Sequence, residues 1–516
     1  MNLGLIPAKW AALTPRRTAL VDITHQRRID WATLDTRVRK LANGLRALGL
    51  RSGDRVAVLS RNSIEYQELY FAVGRAGLVL QPLNWRLSTE ALRTLVADAQ
   101  PAVLVASAEF RHVAEALGRT ADLVRLLYCG PAGDGSYEEL LASAPDTEPP
   151  WSEQVRDAHP CFILYTGGTT GTAKGVVHSH RSVAAGMLNQ TVAERIVPSD
   201  IYLLTGQMFH IPVVLSMNYL AHGCPVVLMN FDARRTLEVI EQERVSAFLG
   251  ITTMLNWMLE VPGFDTYDLS SLRNIQYGGG PMPSAMVRAT AEAFPCDLIQ
   301  GYGQTEGVTM SFLSQEDHRN ALRGIHPHRL RSCGREGFGT RIRVVDANGH
   351  DVPRDGRTPG EIVVRSQANM LGYFRRPDLT AAILQDGWMR TGDVATWDDE
   401  RYLYIVDRLK DMIISGGEKI YSVEVEEAIG RHPAVLECAV IGVPDEQWGE
   451  SVKAFVVLKP NQTATAEDII GVARRHLASY QKPRSVEFIA GLPKAPTGKV
   501  LKRELRAPYQ ADRELS

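Results

Sequence analysis

At 516 residues, with 45% apolar and 22% charged residues and a net charge of −2, the chain has an ordinary globular composition and is too long for a single core. The charge balance excludes a general nucleic-acid binder, which carries a basic surplus or stripe, and no run of about 18 apolar residues exists to form a membrane-spanning helix. The six cysteines are scattered without a Cys-x-x-Cys pair, which argues against a disulfide framework or a zinc site and for buried thiols in a reducing, cytoplasmic setting.

The apolar part of the first ten residues is too short to read as a secretory signal. Trp31, Leu34, Val38, Leu41, Leu45 and Leu48 then recur at helical spacing, and after a Ser52-Gly-Asp54 turn residues 56–59 read as a buried strand. A helix over 65–76, a strand at 78–80 and another at 103–106 continue the alternation, which predicts parallel or mixed sheets covered by helices. Residues 145–150 read as a surface linker. Beyond it, 161–165 form an apolar strand that runs into Tyr165-Thr-Gly-Gly-Thr-Thr-Gly-Thr-Ala-Lys-Gly175. Glycines let backbone N–H groups turn toward an anion, threonines add hydroxyl donors and Lys174 adds a charge, so this loop suits a polyphosphate. The spacing differs from the common P-loop, because Lys174 stands between Ala173 and Gly175. The plainer alternative is a turn between two strands.

A strand at 225–229, a helix at 233–243 and a strand at 247–250 repeat the same pattern. In Tyr277-Gly-Gly-Gly-Pro281, three glycines permit close approach by a flat ligand. A strand at 297–300 leads into Gly301-Tyr-Gly-Gln-Thr-Glu-Gly307, read as a glycine-framed turn. There Glu306 suits Mg²⁺, which takes one or two carboxylates plus phosphate oxygens, and Tyr302 suits a purine face. From about residue 340, strands at 342–345, 361–364 and 402–406 separated by tight turns indicate a β-rich subdomain. Asp393 in Arg390-Thr-Gly-Asp393 and Arg408 in Asp407-Arg408 suit a ribose diol, although each segment alone is more often a plain turn or surface ion pair. A compact α+β unit follows: strand 412–414, a turn at Gly416-Gly417, helix 422–431, strands 437–443 and 454–458, helix 466–477 and strand 485–488. Near the end, Lys499 in Pro493-Lys-Ala-Pro-Thr-Gly-Lys499 is either a point charge carried on a glycine turn or part of a solvated basic tail.

Taken together and in this order, these segments resemble the acyl-adenylate-forming superfamily over about residues 8–505, most nearly its bacterial acyl-CoA and aryl-CoA ligases of the 4-coumarate and feruloyl type. Gly442-Val-Pro-Asp445 with Trp448-Gly-Glu450 is similar to a segment of those ligases. The resemblance implies an α/β fold: a large N-terminal domain of mixed sheets sandwiched by helices (1–406) with a β-rich subdomain, a hinge (407–410) and a small mobile α+β C-terminal domain (411–516). It implies that Thr166, Gly167, Gly168, Thr169, Thr170, Gly171 and Lys174 hold the β- and γ-phosphates of ATP. Thr305 would touch the α-phosphate, Glu306 would hold Mg²⁺, and Gly278, Gly279, Gly280, Tyr302 and Gly303 would form the adenine slot. Asp393 and Arg408 would bind ribose, and Lys499 would bridge the attacking carboxylate and the α-phosphate. Lys410 would be the hinge, with Gly416, Gly417 and Trp448 beside the coenzyme A tunnel. The sequence departs from the family pattern at Gly167, where serine is usual, and at Ala173, where proline is usual.

Peptide-synthetase domains of the superfamily carry an aspartate in the segment Gln207-Met-Phe-His210-Ile-Pro212, and His210 there disfavours an amino acid substrate. His210 resembles the gate histidine of aryl-CoA ligases, and Ile211, Met254, Tyr277, Gly303, Val308 and Thr309 complete an expected acid pocket. The expectation is an ATP- and Mg²⁺-dependent acid–CoA ligase for an aromatic, cinnamate-like or medium-chain acid, monomeric or homodimeric. One alternative is a stand-alone adenylating enzyme that passes its acyl group to a carrier protein or another nucleophile. The other is a nucleotide-binding ATPase without acyl transfer.

Overall fold

The computed structural model describes residues 1–130, 135–166, 173–280, 282–494 and 500–510. The chain forms two compact units, Met1–Ile342 with Val364–Met389, and Arg343–Val363 with Arg390–Ser516.

The first unit is built on two sheets. The seven-stranded one runs in the order Gly372–Tyr373, Lys174–Ser179, Pro160–Thr166, Val79–Pro82, Arg55–Leu59, Val103–Ser107, Arg125–Cys129. Its centre is parallel, so both faces must be covered, and the period-two alternation of each strand divides its side chains between two cores. Val56 and Val58 enter one core, Ala57 and Leu59 another. The nine-stranded sheet divides likewise: Leu20, Leu204 and Val226 join the core that holds Val56, while Val21, Leu203 and Val227 face a third. One core is therefore common to both sheets. Between them run the helices Trp31–Ala47, Ile64–Arg75, His180–Glu194 and Pro212–Ala221, which supply Leu34, Phe71, Val183 and Val214 to it. Every residue of Ile64–Arg75 is buried. Its charged members are paired, as buried charges must be: Glu68 with Arg37 at 2.5 Å, Arg75 with Asp35 at 2.6 Å, and Glu65 with Arg27.

The expected helices and parallel strands are present, with one informative difference. Gly301-Tyr-Gly303 is not part of a turn: the strand runs unbroken over Asp297–Gln304, and only residues 305–307 turn before Val308–Leu313 returns antiparallel. The pairing is bulged between Tyr302 and Gly303. A Cβ on Gly303 would lie 1.9 Å from the Val308 carbonyl oxygen, so this glycine serves a close crossing of two strands.

The second unit contains the five strands Ile413–Ser415, Glu418–Ile420, Val435–Asp445, Gly449–Leu458 and Ser485–Phe488 in one sheet. Helices Ser422–Ile429 and Ala466–His476 cover one face, where Val425, Ile429, Ile469 and Ala473 meet Val440 and Val456. Leu505 from Lys502–Gln510 joins Ile441 and Phe455 on the other. The first hairpin strand extends beyond the expected 437–443 because Asp445 Oδ1 accepts the N–H groups of Gln447 and Trp448 and closes the turn. Strands Thr340–Val345, Gly360–Ser366 and Trp388–Trp397 each pass through a boundary between the units. No described helix is long and apolar enough to cross a membrane.

Candidate active site

The hairpin of Pro160–Thr166 and Lys174–Ser179 carries the glycine- and threonine-rich loop at its tip, with Thr166 opposite Lys174. Gly167, Gly168, Thr169, Thr170 and Gly171 lie outside the described residues, as does Lys499. Lys174 is half-buried, and its ammonium sits 5.2 Å from the centre of the Tyr373 ring. The Tyr373 hydroxyl in turn donates to Glu306 Oε1 at 2.9 Å. Burial and the adjacent Glu306 carboxylate both push the Tyr373 phenol well up, so it stays a donor. Tyr373 thus brings Lys174 and the glutamate of the 305–307 turn to one ring. The sequence did not single it out; Gly372–Tyr373 is a two-residue edge strand whose position depends on its pairing with Val176 and Val177.

The turn bearing Thr305 and Glu306 is held by its backbone. The Glu306 carbonyl accepts Met370 N–H at 2.8 Å and the Gln304 carbonyl accepts Gly307 N–H at 3.2 Å. His178 Nε2 lies 2.6 Å from the Thr305 carbonyl oxygen, and Nδ1 lies 3.0 Å from Ser182 Oγ. Val308, which closes the turn, has φ +56°, a left-handed conformation costing a β-branched residue about 1–3 kcal/mol. It is buried against Gly186, where an added Cβ would lie 2.9 Å from Val308 Cγ1. Packing therefore sustains a strained backbone beside the motif.

Glu306 is half-buried, and among the described residues its second oxygen, Oε2, accepts no hydrogen bond. No group of three or more His, Cys, Asp or Glu side chains converges among the described residues. One available carboxylate oxygen without a protein cage is the donor set that suits Mg²⁺ bound chiefly through phosphate oxygens and water. The residues present fit that ion.

The strand Asn274–Gly278 ends beside this turn, with Gly278 opposite Gly301. A Cβ on Gly279 or Gly280 would meet nothing within 4 Å, so the backbone there borders open space. Tyr302 is buried in the neighbouring strand. Tyr277 is buried, and its hydroxyl is engaged by His318 Nε2 at 2.8 Å. Thr309 lies in Val308–Leu313, and Met254 in the helix Thr252–Leu259.

His210 and Ile211 occupy the loop leading into Pro212–Ala221. The His210 ring packs edge-on to Phe209, with centroids 4.5 Å apart. Burial, then repulsion by Arg86, lowers its pKa to about 4, so the ring is neutral near pH 7. Its Nε2 is buried and has no hydrogen-bond partner among the described residues. A neutral imidazole with one unsatisfied buried nitrogen has one hydrogen bond still to make.

In the second unit, Asp393 and Arg408 face each other across the hairpin Trp388–Trp397 and Leu403–Arg408. Arg408 Nε lies 2.7 Å from Asp393 Oδ1. Asp393 is buried while Arg408 is half-exposed. Lys410 follows this hairpin directly. Gly416 and Gly417 turn the chain with φ +59° and +84°, and Gly416 N–H donates to the Trp448 carbonyl at 2.8 Å. A Cβ on Gly416 would lie 2.6 Å from the Trp448 ring, so only glycine fits against that indole.

The fold, the hairpin loop and the Thr305–Glu306 turn define a nucleotide-dependent adenylating enzyme. The model of the AMP-binding enzyme family matches residues 7–374, and that of the AMP-binding enzyme C-terminal domain matches residues 424–499. The chain is 37% identical to a feruloyl-CoA synthase of an Amycolatopsis species over 98% of this chain and 99% of that one. It is 36% identical to a long-chain-fatty-acid–CoA ligase of Mycobacterium tuberculosis, over 99% of both. Among solved structures it is similar to an anthranilate CoA ligase in complex with anthranoyl-AMP, with a TM-score of 0.88, 27% identity, and coverage of 100% of this chain and 98% of that one. The chain belongs to the AMP-binding enzyme family, and within it to the acyl-CoA ligase type of adenylating enzyme.

Proposed function

We propose that the protein joins an aromatic, cinnamate-like or medium-chain carboxylic acid to coenzyme A through an acyl-adenylate. The observation that carries the choice of acid is His210: neutral, with Nε2 buried and unpartnered, it supplies an uncharged polar contact for a carboxylate where an amino acid would need an anion. The feruloyl-CoA and anthranilate CoA relatives favour an aromatic acid; the long-chain relative marks the competing class.

In the first half-reaction a carboxylate oxygen attacks the α-phosphorus of ATP, the Pα–O bond to the β-phosphate breaks, and pyrophosphate leaves. Two anions must meet, so preorganised positive charge and N–H donors at the phosphates supply the main catalytic term. Residues 166–174 cradle the β- and γ-phosphates, Thr305 contacts the α-phosphate, and Lys499 bridges the two reacting anions. Glu306 would hold Mg²⁺, which neutralises phosphate charge when bound. Gly279, Gly280 and Tyr302 border the adenine, and Asp393 with Arg408 takes the ribose. In the second half-reaction the coenzyme A sulfur attacks the acyl carbon, the bond to AMP oxygen breaks, and the thiol proton passes to solvent. In this reading the hinge is at 407–410, within the second compact unit, and rotation about Lys410 would bring Gly416, Gly417 and Trp448 to the site while withdrawing Lys499.

The test is pyrophosphate release across a panel of carboxylic acids, with and without coenzyme A. Release that needs an aromatic acid, and thioester formed with coenzyme A alone, is the expected result. Release without acid defeats the ligase reading, and an acyl group accepted only by a carrier protein reassigns the second step. Lys499→Ala is expected to lose adenylation by about 10²–10³-fold, the cost of one oxyanion-stabilising group, while still converting supplied acyl-AMP to thioester. Equal loss of both steps would contradict the assignment.

A further inference from the structure

We infer that His178 is a positioning residue for the nucleotide site: its imidazole ties the stalk of the phosphate loop to the turn that presents Thr305 and Glu306. The inference rests on the adenylation reading of that turn. His178 lies on Lys174–Ser179, the strand that leaves the loop, and pairs across the hairpin with Phe162. It is fully buried, in a strand otherwise apolar at Val176 and Val177, where a histidine must bond to both sides or cost stability.

The bonding partners fix the direction of each bond. The Thr305 carbonyl oxygen can only accept, so Nε2 carries the proton and donates across 2.6 Å. The ring is neutral in this desolvated position, so Nδ1 is bare and is an acceptor for the Ser182 hydroxyl at 3.0 Å, which it shares with the Ser179 carbonyl oxygen at 3.0 Å. Ser182 Oγ itself accepts the Ser179 N–H at 2.9 Å, within the capping box that starts the helix His180–Glu194. A single chain of hydrogen bonds thus runs from a helix N-terminus through the imidazole to the backbone of the turn. The helix N-terminus places Ser182, Ser182 holds the ring at Nδ1, and the ring's Nε2–H holds the Thr305 carbonyl. Tyr373 and Met370 hold the Glu306 side of the same turn, so His178 is the tie on the Thr305 side. Without it the turn can rotate about Thr305, and the Thr305 hydroxyl and Glu306 carboxylate lose their common alignment. A misplacement of about 1 Å in such a group can cost about 10²-fold in rate.

The experiment compares wild type, His178→Leu and His178→Gln. The glutamine amide keeps an N–H donor for the Thr305 carbonyl; leucine keeps bulk and removes the donor. With an active acid, His178→Leu is expected to lower kcat for pyrophosphate exchange by about 10- to 100-fold while KM for the acid stays unchanged, and His178→Gln to recover most of that loss. Independently of turnover, calorimetric titration of ATP without acid should show that magnesium tightens binding in wild type and in His178→Gln, and about tenfold less in His178→Leu, the weight of one displaced charge contact. Ser182→Ala, which removes the hydroxyl bonded to Nδ1, should move both readouts in the same direction by a smaller factor, and it carries the test if the leucine variant does not fold. The inference is overturned if magnesium tightens ATP binding equally in the leucine variant, or if glutamine does no better than leucine. A wild type with no acid-dependent exchange would defeat the ligase reading, while the ATP titration would still decide the role of His178.

Discussion

Glu194 and Glu306 of the first unit are each met by a tyrosine hydroxyl, and the two sites are built for opposite ends. Glu194, at the end of the helix His180–Glu194, is fully buried; Tyr219 donates to Oε2 at 2.6 Å and Gln190 Nε2 donates to Oε1. Both of its oxygens are consumed by the protein. Glu306 is half-buried, Tyr373 donates to Oε1 at 2.9 Å, and Oε2 accepts nothing among the described residues. A carboxylate closed on both oxygens is a structural joint; one left with an oxygen to spare can still bind, as we propose for Glu306. The difference lies in the second oxygen, and neither sequence segment displays it.

The largest effect expected from this contrast is at Glu306. Glu306→Gln keeps size and the Tyr373 contact but removes the charge, and acid-dependent pyrophosphate exchange should fall by about 10²–10³-fold, as for loss of one preorganised charge in such a site. Thermal stability should change little, because the half-buried carboxylate keeps an oxygen unpaired. A large loss of stability with exchange retained would make Glu306 a joint like Glu194 and break the comparison.

Glu194 should give the opposite result, an effect on stability and none on rate. Burial is the main cause that raises its pKa from 4.5 to about 7, offset in part by Tyr219 and Gln190. An acid whose folded pKa lies above its unfolded one contributes stability that is complete below the unfolded value and is lost as pH rises through the folded value. Between pH 4.5 and about 7 this group therefore withdraws about 3 kcal/mol of stability. Glu194→Gln removes that dependence: urea unfolding should show a flatter stability profile over this window and a variant more stable than wild type at pH 8. The exchange rate should match wild type. An unchanged pH slope would show that Glu194 is not the titrating group.

The same contrast shows what the sequence makes legible. Strands and helices of the first unit could be read because alternation and 3.6-residue spacing are local: Val56 to Leu59 announce a strand buried on both faces, and Trp31 to Leu48 an amphipathic helix. The family could be read because its motifs are contiguous and ordered. Gly303 was misread as a turn glycine, since nothing local says that the Val308 carbonyl crosses it 1.9 Å from where a Cβ would stand. His178 and Tyr373 were not read at all. Their roles come from strand register, His178 opposite Phe162 and Tyr373 opposite Val176, which places side chains distant in sequence beside Thr305 and Glu306. A histidine inside an apolar strand was the available signal for the first. For Tyr373, a two-residue strand offers none.

The smallest expected effect sharpens the contrast most, because it alters the one kind of partner, a tyrosine hydroxyl, that both sites use. Tyr373→Phe keeps the ring beside Lys174 and removes only the hydroxyl that donates to Glu306 Oε1. If the hydroxyl merely orients a carboxylate whose other oxygen works, exchange should fall by about tenfold, the weight of one hydrogen bond to a charged group, with KM for the acid unchanged. Tyr219→Phe at the other site should instead leave exchange untouched and lower the unfolding midpoint, since it strands Glu194 Oε2 in a fully buried position. The two phenylalanine variants remove the same atom from the same kind of pair, so any difference between them reports what each glutamate is for. Equal losses of rate, or equal losses of stability, would mean that the spare oxygen of Glu306 does not distinguish the sites.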